Sequence, residues 1–151
     1  MKYFGSVINM IKIRYGTFET NSSSVHTLCW CNDDEYEKLF KKELYVNMYE
    51  KNFVMKEQAI EKLKEAYEEY GFNSFNEFYQ DYIDCTGEFT YTPETFNTMP
   101  DDELQSFLNE FCELRSLDSI LNGKYYEGYE SSYTTEHGDK VHVFGYYGRD
   151  F

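Results

Sequence analysis

A stretch of fifty residues, 65–114, contains thirteen acidic residues and no lysine or arginine, so it carries a charge of −13. The remaining residues include 15 acids and 14 bases, and almost all of the net charge of −14 therefore belongs to this segment. The same segment is rich in aromatic residues. A chain of this kind folds most readily into amphipathic helices, with the aromatic rings facing inward and the carboxylates facing water.

The composition supports a folded chain. Aromatic residues make up 20% of the sequence, and each buried ring removes roughly 150–250 Å² of surface from water. A disordered acidic tail would be poor in aromatic residues, so this class is excluded. The length of 151 residues predicts a single domain over residues 1–151.

Apolar periodicity predicts helices over residues 56–121. A first stripe ends at Gly71, a capping box at Ser74 and Glu77 opens a second helix, and Pro100 precedes a third. The residues predicted to face inward are Ile60, Leu63, Tyr67, Tyr70, Phe75, Phe78, Tyr79, Tyr82, Leu104, Phe107, Leu108, Phe111 and Leu114.

Strand patterns lie on both sides of this helical region. Alternation of apolar and polar residues predicts strands over 10–31 and 43–49, and a hairpin over 131–147 turns at His137-Gly138-Asp139. The order of strands, helices and strands predicts an α+β fold. We expect an antiparallel sheet formed by both chain ends, covered on one face by the helical, acidic middle segment.

The cysteines and the chain start bear on compartment and cofactors. No secretion signal and no run of apolar residues long enough to span a membrane is recognisable, so we expect a cytoplasmic protein with free thiols. Cys29 and Cys31 are best interpreted as small buried hydrophobic residues, and no metal is expected. Without a P-loop, GxGxxG or GxSxG motif, we expect no cofactor.

A polar turn near the N-terminus is a second candidate site. It gathers Glu19, Asn21, Ser22, Ser23, Ser24 and His26. The side chains could satisfy the backbone of their own turn, cradle a phosphate, or pair a serine with the histidine as a nucleophile. The first possibility is favoured, because catalytic serine and histidine usually meet through the fold rather than as sequence neighbours. No catalytic residue is assigned, and an enzyme is the less favoured class.

The acidic segment is the first candidate for partner binding. Its carboxylates resemble the charge array of a nucleic acid and would compete for a basic groove. The residues predicted to bind the partner are Glu65, Glu68, Glu69, Glu77, Asp81, Asp84, Asp101, Asp102 and Glu103. The charge argues against direct binding to nucleic acid, and no membrane partner is expected. A soluble acidic face without a partner is the alternative.

The string IKIRYGTFETNSSSVHT at 11–27 resembles the opening of a family of small proteins encoded by phages, prophages and mobile elements of low-GC bacteria. The similarity continues through 33–47 and 57–63 and ends with a second motif, GDKVHVFGYYG, at 138–148. This chain has nine residues before Met10, and Val25 stands where a hydroxyl residue is expected. The resemblance implies a mobile-element origin and a bacterial cytoplasm, and it carries no assigned activity.

Three functions follow from these observations. The first is a binding protein that inhibits a host defence enzyme, such as a CRISPR effector or a restriction enzyme, through an acidic surface that mimics nucleic acid. The second is a small enzyme or nucleotide-binding protein that uses the serine-rich turn and His26. The third is a phage accessory or structural protein.

Overall fold

The computed structural model describes residues 12–16, 24–83, 87–123 and 127–149. Its elements in chain order are β1 (Lys12–Gly16), β2 (Ser24–Asn32), α1 (Asp33–Phe40), β3 (Leu44–Asn47), β4 (Asn52–Met55), α2 (Lys56–Ile83), a 3₁₀ helix (Pro93–Thr98), α3 (Asp101–Cys112), β5 (Leu114–Arg115), α4 (Leu117–Leu121), β6 (Glu127–Thr134) and β7 (Lys140–Arg149). The mixed α+β class is thereby confirmed.

The chain divides into two compact units. Unit 1 comprises Met1–Met55 and Arg115–Phe151, and unit 2 comprises Lys56–Leu114. Unit 2 holds 15 acids and 3 bases, a charge of −12, whereas unit 1 holds 13 acids and 11 bases, a charge of −2. The single domain over 1–151 stays a prediction.

Unit 1 contains a four-stranded antiparallel sheet in the order β1-β2-β7-β6. The long central pair aligns Ser24 with Arg149 at one end and Asn32 with Val141 at the other. Strands from the two chain ends therefore pair directly, as predicted. The observed hairpin is longer than the predicted one at 131–147, since β6 begins at Glu127 and β7 ends at Arg149. In its turn, Gly138 has a positive φ of 88°, which glycine adopts without steric cost.

A second sheet has the order β4-β3-β5. The predicted strand at 43–49 is observed as β3, whereas β4 was not predicted. Strand β4 has only four residues, three of them consecutive apolar residues, so no alternation of apolar and polar residues predicts it. It is paired antiparallel with β3. Met48, which follows β3, packs against the core that contains Leu44 and Val46.

The core of unit 1 lies between one face of the four-stranded sheet and helices α1 and α4. Both helices contact β7; α1 also contacts β2, and α4 also contacts β6. The buried residues of this core are Cys29, Cys31, Leu39, Leu44, Val46, Phe53, Leu117, Ile120, Phe144 and Tyr146. Cover of the sheet by the whole helical segment 56–121 stays a prediction, because α2 and α3 belong to unit 2.

Asn32 or Asp33 is predicted to cap a short helix, and helix α1 begins at Asp33 with Asn32 as its cap. The Asn32 side chain accepts a hydrogen bond from the Glu35 backbone N–H at 2.7 Å, and the Glu35 carboxylate accepts one from the Asn32 backbone N–H at 3.0 Å. This reciprocal cap satisfies two amide donors that a helix start leaves open. Leu39 faces the core, whereas Phe40 is exposed.

Helix α2 is interrupted at Gly71, whose φ of 84° and ψ of 169° are not helical. The predicted stop at this glycine is confirmed. The predicted cap at Ser74 is wrong, because the helix has resumed before that residue and the Ser74 hydroxyl donates to the Tyr70 carbonyl at 3.1 Å. A serine inside a helix commonly satisfies its hydroxyl in this way.

Unit 2 is held together by a cluster of aromatic rings around Phe75. The Phe75 side chain is fully buried, and its ring centroid lies 4.1 Å from that of Phe111, 5.1 Å from Tyr67 and 5.5 Å from Phe107. The predicted inward stripes are correct here but fail at Tyr70 and Tyr82, which are 52% and 62% exposed. These two residues lie next to the helix break and near the end of α2, where less of the unit surrounds them.

Candidate acidic interface

The first half of α2 separates its charges from its core residues. Ala59, Ile60, Leu63 and Ala66 are buried, whereas the carboxylates on the opposite arc of the helix are exposed. These exposed residues are Glu57, Glu61, Glu65, Glu68 and Glu69. Their spacings of four, four, three and one residues place them side by side along the helix, where like charges repel.

The cations of unit 2 offset few of these charges. Lys64 Nζ lies 3.2 Å from Glu61 Oε1, and Lys56 Nζ lies 3.4 Å from Asp101 Oδ1. Lys62 is the third and last base in the unit, against fifteen acids. The surface therefore keeps a strong negative charge after its own ion pairs are counted.

The acids of α3 fall into two groups. Asp101, Asp102 and Glu103 lie in the first turn, where the helix dipole favours negative charge and gives them a structural role. Glu110 and Glu113 lie at the opposite end, which has no basic residue in its last turn. The dipole disfavours acids there, and Glu113 also takes a left-handed φ of 57°, where glycine is the usual residue. Stability alone does not explain this second pair.

Most of the predicted partner-binding carboxylates are accessible. Glu65, Glu68, Glu69, Glu77, Asp81, Asp101 and Asp102 are exposed. Glu103 is half-buried beside Tyr91, and burial together with this carboxylate raises the pKa of the Tyr91 hydroxyl. Glu103 is thus the poorest candidate of the set, and Asp84 lies outside the described residues.

The serine-rich turn is only partly within the described residues. Glu19, Asn21, Ser22 and Ser23 lie outside them, whereas Ser24 and His26 belong to β2. His26 is paired in register with Tyr147 of β7 and Gly16 of β1. Phosphate binding and catalysis by this turn stay predictions.

A second polar cluster joins α1 to the hairpin of unit 1, and the sequence did not predict it. His142 Nε2 lies 2.7 Å from Asp33 Oδ1, and the His142 ring stacks on Tyr36 with centroids 4.0 Å apart. The Tyr36 hydroxyl donates to the Glu130 carboxylate. No motif could have revealed this cluster, because the partners are 94 and 109 residues apart in the chain.

The hydrogen bonds shift the pKa values of this cluster. The bond to His142 lowers the pKa of the exposed Asp33 carboxyl, and burial followed by the bond to Glu130 raises the pKa of Tyr36 to about 12. Tyr36 therefore stays protonated as a donor. The contact between Asp33 and His142 holds the start of α1 against β7, and the hydrogen bond from the Tyr36 hydroxyl to Glu130 holds α1 against β6. We therefore assign this cluster a structural role.

Cys29 and Cys31 are buried thiols, as predicted, and Cys112 is a half-buried thiol. Burial raises the pKa of Cys29 to about 12, and burial together with the nearby Glu35 raises that of Cys31 further. Cys112 also has a pKa raised to about 12 by burial. Among the residues that the structure describes, no group of three or more histidine, cysteine or acidic side chains is placed to hold a metal ion.

These pKa values predict slow alkylation. At pH 8 we expect iodoacetamide to modify Cys29 and Cys112 roughly a thousandfold more slowly in the native protein than in urea, because only the thiolate reacts. Peptide mass spectrometry resolves each site and separates them from Cys85. Labelling of native Cys29 at the rate of the unfolded chain would show that the thiol is accessible and ionised.

Comparisons with family models, with curated proteins and with solved structures find no match to this chain. Within the described residues, no helix combines the length and the apolar character needed to cross a bilayer.

Proposed function

We propose that this protein is a phage or mobile-element protein that inhibits a host defence enzyme by occupying its basic nucleic-acid groove. Unit 2 supplies the binding surface. The partner is a nucleic-acid-binding enzyme such as a CRISPR effector or a restriction enzyme, and binding takes place in the bacterial cytoplasm.

The observation that carries the proposal is the exposure of the carboxylates in unit 2. Of the twelve described acids in residues 65–114, eleven are exposed, and only Glu103 is half-buried. Duplex DNA presents one negative charge per about 1.7 Å of its axis, and a groove that binds it attracts any folded surface of similar charge. Acids such as Glu110 and Glu113, kept where the helix dipole disfavours them, fit selection for binding rather than for stability.

A charge reversal tests the proposal. We expect the triple variant Glu65→Lys, Glu68→Lys and Glu69→Lys to bind the partner at least about tenfold more slowly, because attraction between opposite charges accelerates association. All three side chains are exposed on the arc of α2 that faces away from its core. The partner is first recovered from host lysate at low salt, and association rates are then measured at two salt concentrations.

A matched control has the same charge change in unit 1. Glu43, Glu50 and Glu136 are exposed, and their replacement by lysine alters the net charge equally. This control should associate at nearly the rate of the parent. Equal slowing of both variants would mean that only net charge matters, and a rate independent of salt in the parent would contradict an electrostatic interface.

A further inference from the structure

We infer that the face of the four-stranded sheet opposite the core of unit 1 binds single-stranded nucleic acid by stacking its bases on aromatic side chains. Along β7, His142, Phe144 and Tyr146 are buried toward the core, so the intervening positions belong to the other face. Residues paired across an antiparallel ladder share a face. The outer face is therefore defined by the aromatic residues Trp30, Tyr129, Tyr133 and Tyr147 together with Val141 and Val143.

The aromatic residues are spread over successive rows of this outer face. Tyr133 pairs with Val141, Trp30 with Val143, and Tyr129 with Gly145, while Tyr147 occupies the next row of β7. Rows on one face of a strand are about 6.8 Å apart. Four adjoining rows thus each contribute one ring, an arrangement that suits several unstacked bases rather than a single ligand.

The rings are accessible to different degrees. Tyr133 is 56% exposed and Tyr147 is 42% exposed, whereas Trp30 and Tyr129 are half-buried. The Tyr147 hydroxyl donates to the Glu127 carboxylate on the neighbouring strand, which fixes the orientation of the ring. Base stacking on fixed aromatic rings tolerates any sequence, because every base has a π face.

The charge at the register positions of the outer face is complementary to phosphate. Lys12 pairs with Trp30, Arg14 with Leu28, and Arg149 with Ser24. Among the described strand positions of this face, Glu127 is the single acid, and it is bonded to Tyr147. Three basic residues thus occupy register positions next to those of the aromatic residues, and aromatic and basic residues are the combination that single-strand-binding surfaces use.

The charge of the whole chain argued against nucleic acid, but that charge is not evenly distributed. Unit 2 holds −12 of the −14, and unit 1 is nearly neutral. The expectation of no direct nucleic-acid binding therefore rests on unit 2 and does not extend to the outer face. This inference is independent of the proposed function, since it uses different residues and a different ligand.

The single tryptophan of the chain provides a probe at the site. Trp30 lies on the outer face, so stacking of a base close to it should quench its fluorescence. We expect saturable quenching of the intact protein by oligothymidylate of about 12 nucleotides at low salt. A duplex of the same length should not quench, because its bases are already stacked and paired.

Variants distinguish stacking from charge alone. Tyr133→Ala and Tyr147→Ala should each weaken binding about fivefold or more, whereas Tyr133→Phe keeps the ring and should bind as the parent does. Tyr49→Ala is the control, since Tyr49 is 83% exposed and lies in the turn between β3 and β4. Arg149→Gln should reduce the dependence of binding on salt.

The outcomes that would overturn this inference are also defined. Absence of quenching, equally tight binding of duplex, or unchanged binding by both alanine variants would each exclude a stacking surface. The triple variant Glu65→Lys, Glu68→Lys and Glu69→Lys should bind the oligonucleotide at least as tightly as the parent. Loss of binding to the host enzyme without loss of oligonucleotide binding would therefore separate the two proposals.

Discussion

Replacement of Phe75 by alanine is expected to lower the free energy of unfolding of unit 2 by about 3–5 kcal/mol. The Phe75 side chain is fully buried, and its ring contacts those of Phe111, Tyr67 and Phe107. Removing it leaves a cavity that the surrounding rings cannot fill without leaving their own positions. A loss of this size is a large part of the stability of a typical domain.

The effect is measured by urea denaturation followed by circular dichroism at 222 nm, a wavelength at which α2 and α3 dominate the signal. Tyr82→Ala is the matched control, because Tyr82 lies in the same helix and is 62% exposed. We expect it to cost less than about 1.5 kcal/mol, mainly through its contact with Phe78 at 5.1 Å. A Phe75→Ala variant as stable as the parent would contradict the central place of this ring in the core.

The same variant tests the prediction of a single domain over 1–151. Trp30 belongs to unit 1, so its fluorescence reports the unfolding of that unit separately from the helices of unit 2. If Phe75→Ala shifts both transitions together, the chain unfolds as one cooperative domain. If the Trp30 transition keeps the midpoint of the parent, the two units are separate domains.

Gly128→Ala is expected to destabilise unit 1 strongly. A β-carbon at this position of β6 would lie 2.6 Å from both the Cα and the carbonyl carbon of Leu121, and closer still to its oxygen. Leu121 is the last residue of α4, and these are backbone atoms that no side-chain rotation can move away. We expect a loss of about 3 kcal/mol, at the upper end of the usual range for overpacking.

Gly123→Ala is the control for this substitution. Its added β-carbon would lie 3.6 Å from the Ser119 carbonyl oxygen, an ordinary van der Waals contact. We expect its stability to stay within about 1 kcal/mol of that of the parent. Thermal unfolding followed by Trp30 fluorescence measures both variants, and equal melting temperatures would show that α4 is able to shift away from β6 at little cost.

Local sequence determined several features of this protein. The cap of α1 at Asn32, the helix break at Gly71, the start of α3 after Pro100 and the turn at Gly138 lie where their residues predict. Each depends on hydrogen bonds or backbone angles within a few residues. The exposure of the carboxylates in unit 2 was also predictable from the sequence, because burying so many negative charges with so few bases to pair with them is unfavourable.

Tertiary structure decided the rest. Strand β4 is recognisable only through its pairing with β3, and the cluster of Asp33, Tyr36 and His142 joins segments that are distant in the sequence. Tyr70 and Tyr82 are exposed, although their helical spacing predicts that they face inward. The outer face likewise needed the register, because Trp30 and the tyrosines of the hairpin are about a hundred residues apart in the chain. Sequence spacing reports which residues share a face of one element, but pairing between elements decides which faces meet and which remain accessible to a partner.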